Sequence, residues 1–299
     1  MARQPLKRGE RGAAAMLLAP FLMLFLATLV VPIGYAAYLS LFTERSSGLG
    51  FGGSETLFTW FGNYARAIAD DQFRAGFLVI VKYLLGYVPV MVGGALAIAL
   101  LLDSTLAKAK RFFQLTLYLP HAVPGIIAAI IWLYLYTPGL SPVVGALREG
   151  GLSWDFLSSD HALSSVTNIS VWEWVGYNVV IFYAALQAIP REIIEAAAVD
   201  GAGELRTALS VKVPMIKAAV VMTVMFTVIG ALQLFTEPVI LNGANPAVSA
   251  TWTPNMYAYD AAFRRSDYGL AAASSILLAL AAALLSFVVT RVGTRRSAR

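Results

Sequence analysis

The sequence predicts an all-α membrane protein with six transmembrane helices. Of its 299 residues, 59% are hydrophobic and only 13% are charged, and the mean hydropathy is +0.71. Soluble proteins carry about 25% charged residues, so a soluble domain of this length could not cover so much apolar surface. The same hydrophobicity excludes a disordered chain. The sequence contains no cysteine, which excludes disulfides and thiolate metal sites.

Six apolar runs are long enough to cross a bilayer, which takes about 20 helical residues. Lipid cannot form hydrogen bonds with the backbone groups at an open sheet edge, so these runs are predicted to be helices. The runs cover about residues 13–42, 77–102, 112–136, 166–189, 215–241 and 270–292. The first run is longer than the apolar part of a signal peptide (about 7–15 residues), and no small-x-small cleavage site ends it. We therefore expect it to be retained as a span.

The distribution of basic residues predicts the orientation. If the N-terminus is cytoplasmic, the inner segments hold 15 of the 22 Lys and Arg residues and the outer loops hold 6, with Lys82 inside the second span. Cytoplasmic loops of membrane proteins are enriched in Lys and Arg. Both termini are therefore predicted to be cytoplasmic, in a multi-pass protein of a bacterial-type cell membrane. The net charge of +5 then reflects topology, and no basic patch suits nucleic acid.

The inner loop between the fourth and fifth spans, residues 190–214, has the most regular pattern. Residues 191–199 are good helix formers that follow a proline, which suits a first helical turn. Gly201 predicts a turn, since glycine tolerates positive φ, and a second helical piece continues to Pro214. The pattern alone allows two interpretations. A small Ala/Gly face could dock another protein, or an amphipathic loop could rest on lipid headgroups.

One run in this loop resembles the EAA loop of the permease subunits of ATP-binding cassette (ABC) importers. The run consists of Glu195, Ala196, Ala197, two further residues, then Asp200, Gly201 and Ala202, and later Val211, Val213 and Pro214. The chain departs from the family pattern at Ala208, where the family usually has Phe. Residues 186–190, 235–246 and 257–263 resemble the carbohydrate branch of this family, particularly the maltose and glycerol-3-phosphate type.

The resemblance implies a fold and a set of partners. The fold is that of ABC importer permeases (MetI-like), with residues 1–299 as a single transmembrane domain and 190–214 as the cytoplasmic coupling loop. The partners are a second related permease in a heterodimer, an ABC ATPase dimer, an extracytoplasmic sugar-binding protein, the sugar and membrane lipid. ATP and Mg would be bound by the partner ATPase, and this chain would hold no cofactor.

The residues agree with a subunit that is not itself an enzyme. The sequence contains no Gly-Lys pair, so it cannot supply the phosphate-binding loop G-x-x-x-x-G-K-[ST]. Gly48, Gly50 and Gly53 match G-x-G-x-x-G, but they lie in an outer loop without a flanking βαβ unit, and we interpret them as turn glycines.

Polar residues inside spans are costly and are therefore candidates for function. Carboxylates and amides bind sugar hydroxyls, and aromatic rings pack on the apolar faces of sugar rings. Gln233 and Glu237 are four residues apart and are expected to share one helix face. In the sugar branch, substrate contacts come from the fourth and fifth spans. The resemblance therefore implies these substrate-binding residues: Glu173, Trp174, Tyr177, Gln233 and Glu237.

Less specific interpretations stay open for several of these residues. Trp172, Trp174 and Tyr177 could form an interfacial aromatic belt. Glu173 could pair with Lys82. His121, which lies between two prolines, is expected to satisfy backbone groups that the prolines free rather than to bind metal.

The predicted function is the transmembrane subunit of an ATP-driven importer of a mono-, di- or oligosaccharide, coupled to its ATPase through the EAA loop. The alternative is a secondary transporter of a small polar solute, although no inverted repeat is visible. A membrane enzyme would need a catalytic constellation, and none is found. The spans contain no cluster of Lys or Arg, which favours an uncharged substrate.

Overall fold

The computed structural model describes residues 8–46, 54–152 and 154–295. Gly48, Gly50 and Gly53 and the outermost basic residues of both termini lie outside the described residues. The helices are α1 (Arg8–Phe25), α2 (Val31–Leu39), α3 (Gly62–Ala69), α4 (Asp71–Asp103), α5 (Lys110–Tyr118), α6 (Gly125–Tyr136), α7 (Pro142–Glu149), α8 (Ala162–Gln187), α9 (Arg191–Val199), α10 (Glu204–Thr207), α11 (Val213–Met215), α12 (Lys217–Leu232), α13 (Thr236–Leu241), α14 (Pro254–Phe263) and α15 (Tyr268–Arg295).

Short irregular elements connect some of these helices. Single turns of π or 3-10 helix cover Leu26–Val30, Leu119–Ala122, Ser159–His161 and Ala208–Lys212. One antiparallel hairpin pairs β1 (Phe42–Ser46) with β2 (Ser54–Phe58), with Phe42 opposite Phe58. The all-α class is retained, and this short hairpin is an addition that the sequence analysis missed.

The predicted spans are found at their expected positions. Within the described residues, five helical stretches are long and apolar enough to cross a membrane: Met16–Leu39, Asp71–Asp103, Ser159–Gln187, Lys217–Leu241 and Tyr268–Arg291. A sixth span is a pair of helices, Lys110–Ala122 and Gly125–Tyr136, bent by 97°.

The bend in the third span follows from its prolines. Pro124 has no backbone N–H, and it disfavours helical geometry at the residue before it. Val123 is accordingly extended, with φ −81° and ψ 129°. The chain leaves the helical path there, and α6 begins at Gly125 in a new direction.

A second break interrupts the fifth span. Helix α12 ends at Leu232 and α13 begins at Thr236. In a continuous helix, the ring of Pro238 would clash with the carbonyl group of Leu234, four residues earlier. The carbonyl oxygens of Gln233 and Leu234 instead accept hydrogen bonds from Asn255 Nδ2 and Thr253 Oγ1, each 3.1 Å long. The prediction that Gln233 and Glu237 share one continuous helix face was therefore wrong.

Helix α4 forms the centre of the bundle. Its buried residues recur every three or four positions and include Ile80, Tyr83, Tyr87 and Met91, which is the spacing of one helix face. This face packs on α8 and α12 in the main hydrophobic core. By contrast, none of the most apolar part of the first span, Met16–Leu39, is buried within the chain.

The end of the bundle that contains the start of α4 is held by polar side chains. Tyr257 of α14 donates a hydrogen bond of 2.7 Å to Asp70 Oδ2, just before α4. Burial and the Asp70 carboxylate raise the pKa of Tyr257 to about 12. An Arg66–Asp267 ion pair of 2.7 Å joins α3 to the segment before α15. The loop 190–214 lies at the other end of α4, which we call the loop end.

Close packing of α5 on α8 depends on a glycine, which has no side chain. A Cβ atom added to Gly176 of α8 would lie 1.7 Å from the Leu117 carbonyl oxygen of α5. No side chain can occupy that space, so α5 crosses α8 backbone to backbone.

We expect Gly176→Ala to destabilise the bundle by about 1–3 kcal/mol or more, because a backbone carbonyl cannot move aside as a flexible side chain can. The melting temperature of the purified protein in detergent should fall by several degrees. Gly93→Ala is the matched control, since a Cβ at Gly93 meets nothing within 4 Å. It should leave the melting temperature unchanged or slightly higher. An unchanged value for Gly176→Ala would mean that α5 and α8 are further apart.

Candidate functional site

A cavity of about 350 Å³ lies between α4, α8, α12 and α13, where the third and fifth spans are broken. All five residues that the sequence predicted for substrate contact line it: Glu173, Trp174, Tyr177, Gln233 and Glu237. Gln233 lies within the α12–α13 break and Glu237 lies in the first turn of α13. The two therefore reach the same cavity although they are not on one helix face.

Glu173 lies beside the start of α6. Only 8% of this residue is exposed. A Cβ atom added to Gly125, the first residue of α6, would lie 3.4 Å from Glu173 Oε1 and 3.8 Å from Oε2. The first N–H groups of a helix are unsatisfied and carry partial positive charge, which favours a neighbouring carboxylate. The proline bend thus brings the start of α6 beside Glu173.

Glu237 is the second carboxyl group of the cavity. Its Oε1 accepts a hydrogen bond of 3.1 Å from Ser170 Oγ of α8. The alternative partner for Glu173, Lys82, instead lines a separate groove on the outer surface of α4 and α8. In the described part of the chain, neither glutamate forms an ion pair.

Aromatic rings form one wall of the cavity. Trp174 and Tyr177 meet edge to face with ring centroids 6.0 Å apart. Trp172, the other candidate for an aromatic belt, does not line the cavity and packs on Trp132 with centroids 5.8 Å apart.

Sequence reasoning missed three residues of this region. Tyr83 and Tyr87 of α4 line the cavity, with nearly parallel rings 4.8 Å apart. Their spacing of one helical turn on the buried face of α4 was the available signal. His121 lies in the bend of the third span, 4.5 Å from Trp174 and 4.8 Å from Tyr177 between ring centroids. Its Nδ1 is buried and has no hydrogen-bond partner among the described residues.

The loop 190–214 contains the helix, turn and second helical piece that the sequence predicts. Pro190 is extended and precedes the first helical turn rather than lying within it, with ψ 136°. Gly201 follows α9 and its C-cap residue Asp200, and it has φ +77°. The Gly201 N–H bonds to the Ala198 carbonyl at 3.0 Å and the Ala202 N–H bonds to the Ala197 carbonyl at 2.9 Å. These two bonds form a Schellman motif, which requires a left-handed residue at the position of Gly201.

The loop presents side chains outwards. No residue of α9 is buried, and Val199 and Leu205 are 88% and 74% exposed. Glu195 and Ala196 of the EAA run are exposed, and Ala197 is half-buried. Ala208, where the family usually has Phe, is half-buried in the π turn after α10.

Polar contacts tie the loop to the helices that line the cavity. Asp103, the last residue of α4, accepts from Lys212 Nζ at 2.5 Å and from Gln187 Nε2 at 2.6 Å. Gln187 is the last residue of α8. Thr105 also donates to Glu204 Oε1 at 2.5 Å. Asp103 therefore joins α4, α8 and the loop at one point.

Residues 90–297 match the family described as "Binding-protein-dependent transport system inner membrane component". The chain belongs to this family. The ABC importer permease family indicated by the EAA loop is thereby confirmed, and the protein is a multi-pass membrane permease. We refer to it below as the permease.

Two relatives of the permease are sn-glycerol-3-phosphate transport system permease proteins UgpA. The one from Yersinia pseudotuberculosis serotype I is 31% identical over 270 residues, which cover 89% of this chain and 88% of the relative. The one from Escherichia coli O6:K15:H31 is 31% identical over 283 residues, with 92% of each chain covered.

A solved structure has the same fold. It is that of a bacterial ABC transporter involved in the import of the acidic polysaccharide alginate. The TM-score is 0.78, the sequences are 20% identical, and 95% of each chain is covered. This likeness confirms the predicted fold class.

Proposed function

We propose that the permease is the transmembrane subunit of an ATP-driven ABC importer that carries a sugar across the cytoplasmic membrane, with both termini in the cytoplasm. One observation supports this proposal most strongly. Helices α4 and α8 line the cavity and end at Asp103 and Gln187, where the EAA loop is attached. A site suited to a sugar and a surface suited to an ATPase thus share two helices.

The cavity offers the chemistry that a sugar needs. Carboxyl and amide groups of Glu173, Glu237 and Gln233 can accept hydrogen bonds from ring hydroxyls. The faces of Trp174 and Tyr177 can pack on the apolar C–H surface of a sugar ring. The relatives named as glycerol-3-phosphate permeases and the alginate transporter support a polyol or sugar as the cargo.

The partners supply the remaining functions. An ABC ATPase dimer binds ATP and Mg and docks on the exposed α9, so this chain is not catalytic. A second related permease completes the pathway as a heterodimer. A sugar-binding protein delivers the cargo at the outer face, as the alginate transporter complex with its alginate-bound periplasmic protein supports.

Coupling runs through Asp103. When the ATPase dimer closes, it moves α9 and the second helical piece that follows. Lys212 belongs to that piece, and its ion pair with Asp103 is mostly shielded from water, with side-chain exposures of 18% and 11%. The ion pair therefore passes the motion to α4 and, through Gln187, to α8.

The transporter reconstituted in liposomes with its partner permease, ATPase and binding protein should accumulate radiolabelled sugar only when ATP is supplied. Glu237→Gln and Tyr177→Ala should each raise the sugar concentration for half-maximal uptake by about tenfold. For Glu237→Gln the reason is that a hydrogen bond to a charged group contributes roughly 1.5–3 kcal/mol, and for Tyr177→Ala it is the loss of the ring face that packs on the sugar. Complex assembly should be intact. Tyr134→Ala, an exposed aromatic residue outside the cavity, is the control. Uptake by this chain alone, driven by an ion gradient, would indicate a secondary transporter instead.

Gly201→Val should abolish docking of the ATPase, because a β-branched residue at φ +77° is strained and the Schellman motif cannot form. The variant should still insert into the membrane. Gly203→Val is the matched control, since Gly203 has φ −68° and an extended conformation that valine adopts easily. Co-purification of the ATPase and sugar uptake are the measurements. Normal values for both with Gly201→Val would contradict the docking role of this turn.

Lys212→Met should leave assembly intact but lower the amount of sugar transported per ATP hydrolysed by at least about fivefold, the lower end of typical coupling effects. Asp103→Lys combined with Lys212→Asp should recover part of the loss, since the pair is restored with reversed charges. Lys108→Met, which removes another basic residue at the loop end, should behave as wild type. If Lys212→Met transports and hydrolyses normally, coupling does not pass through Asp103.

A further inference from the structure

The cavity contains carboxyl groups but no basic side chain. Its 17 lining residues include Glu173 and Glu237, and none of them is Lys, Arg or His. The rest are aromatic, small, apolar or neutral polar residues. Permeases that bind an anionic cargo need cations or free N–H groups where its charge is held.

The carboxyl groups of the cavity lie beside the starts of two half-helices. Broken helices in transporters commonly direct their N-termini at anionic substrate groups. Here the start of α6, at Gly125, faces Glu173, and the first turn of α13 contains Glu237. An anion at the start of either half-helix would therefore lie next to a carboxyl group of the protein.

The hydrogen-bond donors of the cavity lining are all neutral, and two of them are already used within the protein. Ser170 Oγ donates towards Glu237, and Asn178 Nδ2 donates to the Trp174 carbonyl at 3.1 Å. A phosphate or carboxylate that entered the cavity would lose its hydration and meet two carboxyl groups in return. That exchange is unfavourable, because no cation among the lining residues compensates the buried charge of the anion. Hydroxyl and ammonium groups are complementary to the same surface.

We propose that the cavity admits sugars that carry hydroxyl or ammonium groups and rejects sugars that carry phosphate or carboxylate. The proposal rests on the proposed function, since it concerns the cargo of the same site. It separates this permease from the relatives named for glycerol-3-phosphate and from the transporter of an acidic polysaccharide, although the fold is shared.

The charge selectivity of the cavity can be measured without knowing the sugar. The sequence contains no cysteine, so a single Phe226→Cys places one thiol of this chain at the cavity wall. In the complete transporter, this thiol is reacted with one of two methanethiosulfonate reagents. One carries a cationic trimethylammonium-ethyl group and the other an anionic sulfonatoethyl group. Labelling of this chain is followed by mass spectrometry. Gly243→Cys, in an exposed turn with open space around it, gives the reference rates.

For each cysteine variant, the labelling rate with the cationic reagent is divided by the rate with the anionic reagent. This ratio should be at least about tenfold higher for Phe226→Cys than for Gly243→Cys. Adding Glu173→Gln and Glu237→Gln should bring this ratio to within about twofold of the reference. Equal labelling by both reagents would overturn the proposal, because it would mean that a cation from a partner subunit neutralises the cavity. A ratio that the two Gln substitutions do not change would also overturn it.

An uptake experiment separates this proposal from the proposed function. Cells that express the complete transporter are given radiolabelled maltose, glucosamine, glycerol-3-phosphate or galacturonate. Uptake of maltose or glucosamine with exclusion of the two anions is the expected result. ATP-dependent uptake of glycerol-3-phosphate or galacturonate by the unaltered transporter would overturn the charge selectivity while leaving the importer function intact. Uptake by an ion gradient without the ATPase would overturn the importer function instead.

Discussion

Two prolines determine where this permease has a cavity. Neither Pro124 nor Pro238 can donate a backbone hydrogen bond, and each prevents the helix before it from continuing. Inside a bilayer, the backbone groups that are freed must find partners within the protein. At the fifth span these partners are the side chains of Thr253 and Asn255. Two helices can therefore begin within the bundle, and the space between their first turns becomes a site.

The sequence was sufficient to predict the number and position of the spans, because hydropathy measures how a segment partitions into lipid. It also predicted the turn at Gly201, because the φ preference of glycine is local. The direction of each helix after a break is not local. Gln233 and Glu237 were assigned to one face by their spacing, yet they reach the cavity from different elements because the helix between them is interrupted.

The remaining site residues were missed for a related reason. In the sequence, Tyr83 and Tyr87 cannot be distinguished from ordinary core residues, since residues on a buried helix face and residues on a cavity wall recur at the same spacing. His121 drew attention only as a neighbour of prolines, and its packing on Trp174 and Tyr177 depends on the close approach of α5 to α8 at Gly176. Local pattern identifies which residues are unusual for a membrane, and tertiary geometry decides which of them meet.

The fold tolerates extensive change of sequence. A structure that is 20% identical superposes over 95% of the chain, so the breaks and the packing of the spans tolerate extensive substitution. The cavity is lined by a small number of side chains on that frame. We expect a change in two or three of them, such as the carboxyl groups beside the starts of α6 and α13, to alter the charge of the cargo without altering the path of the backbone.

The length of α4 has a mechanical consequence. The helix is continuous from Asp71 to Asp103, and Tyr87 lies 16 residues from its attachment to the loop, or about 24 Å at 1.5 Å per residue. A tilt of roughly 5° about the Asp103 end would shift Tyr87 by about 2 Å on this lever arm. That displacement is enough to break a hydrogen bond or to separate two packed rings. A small rotation at the surface of the membrane is thus sufficient to reshape a wall of the cavity deep within it.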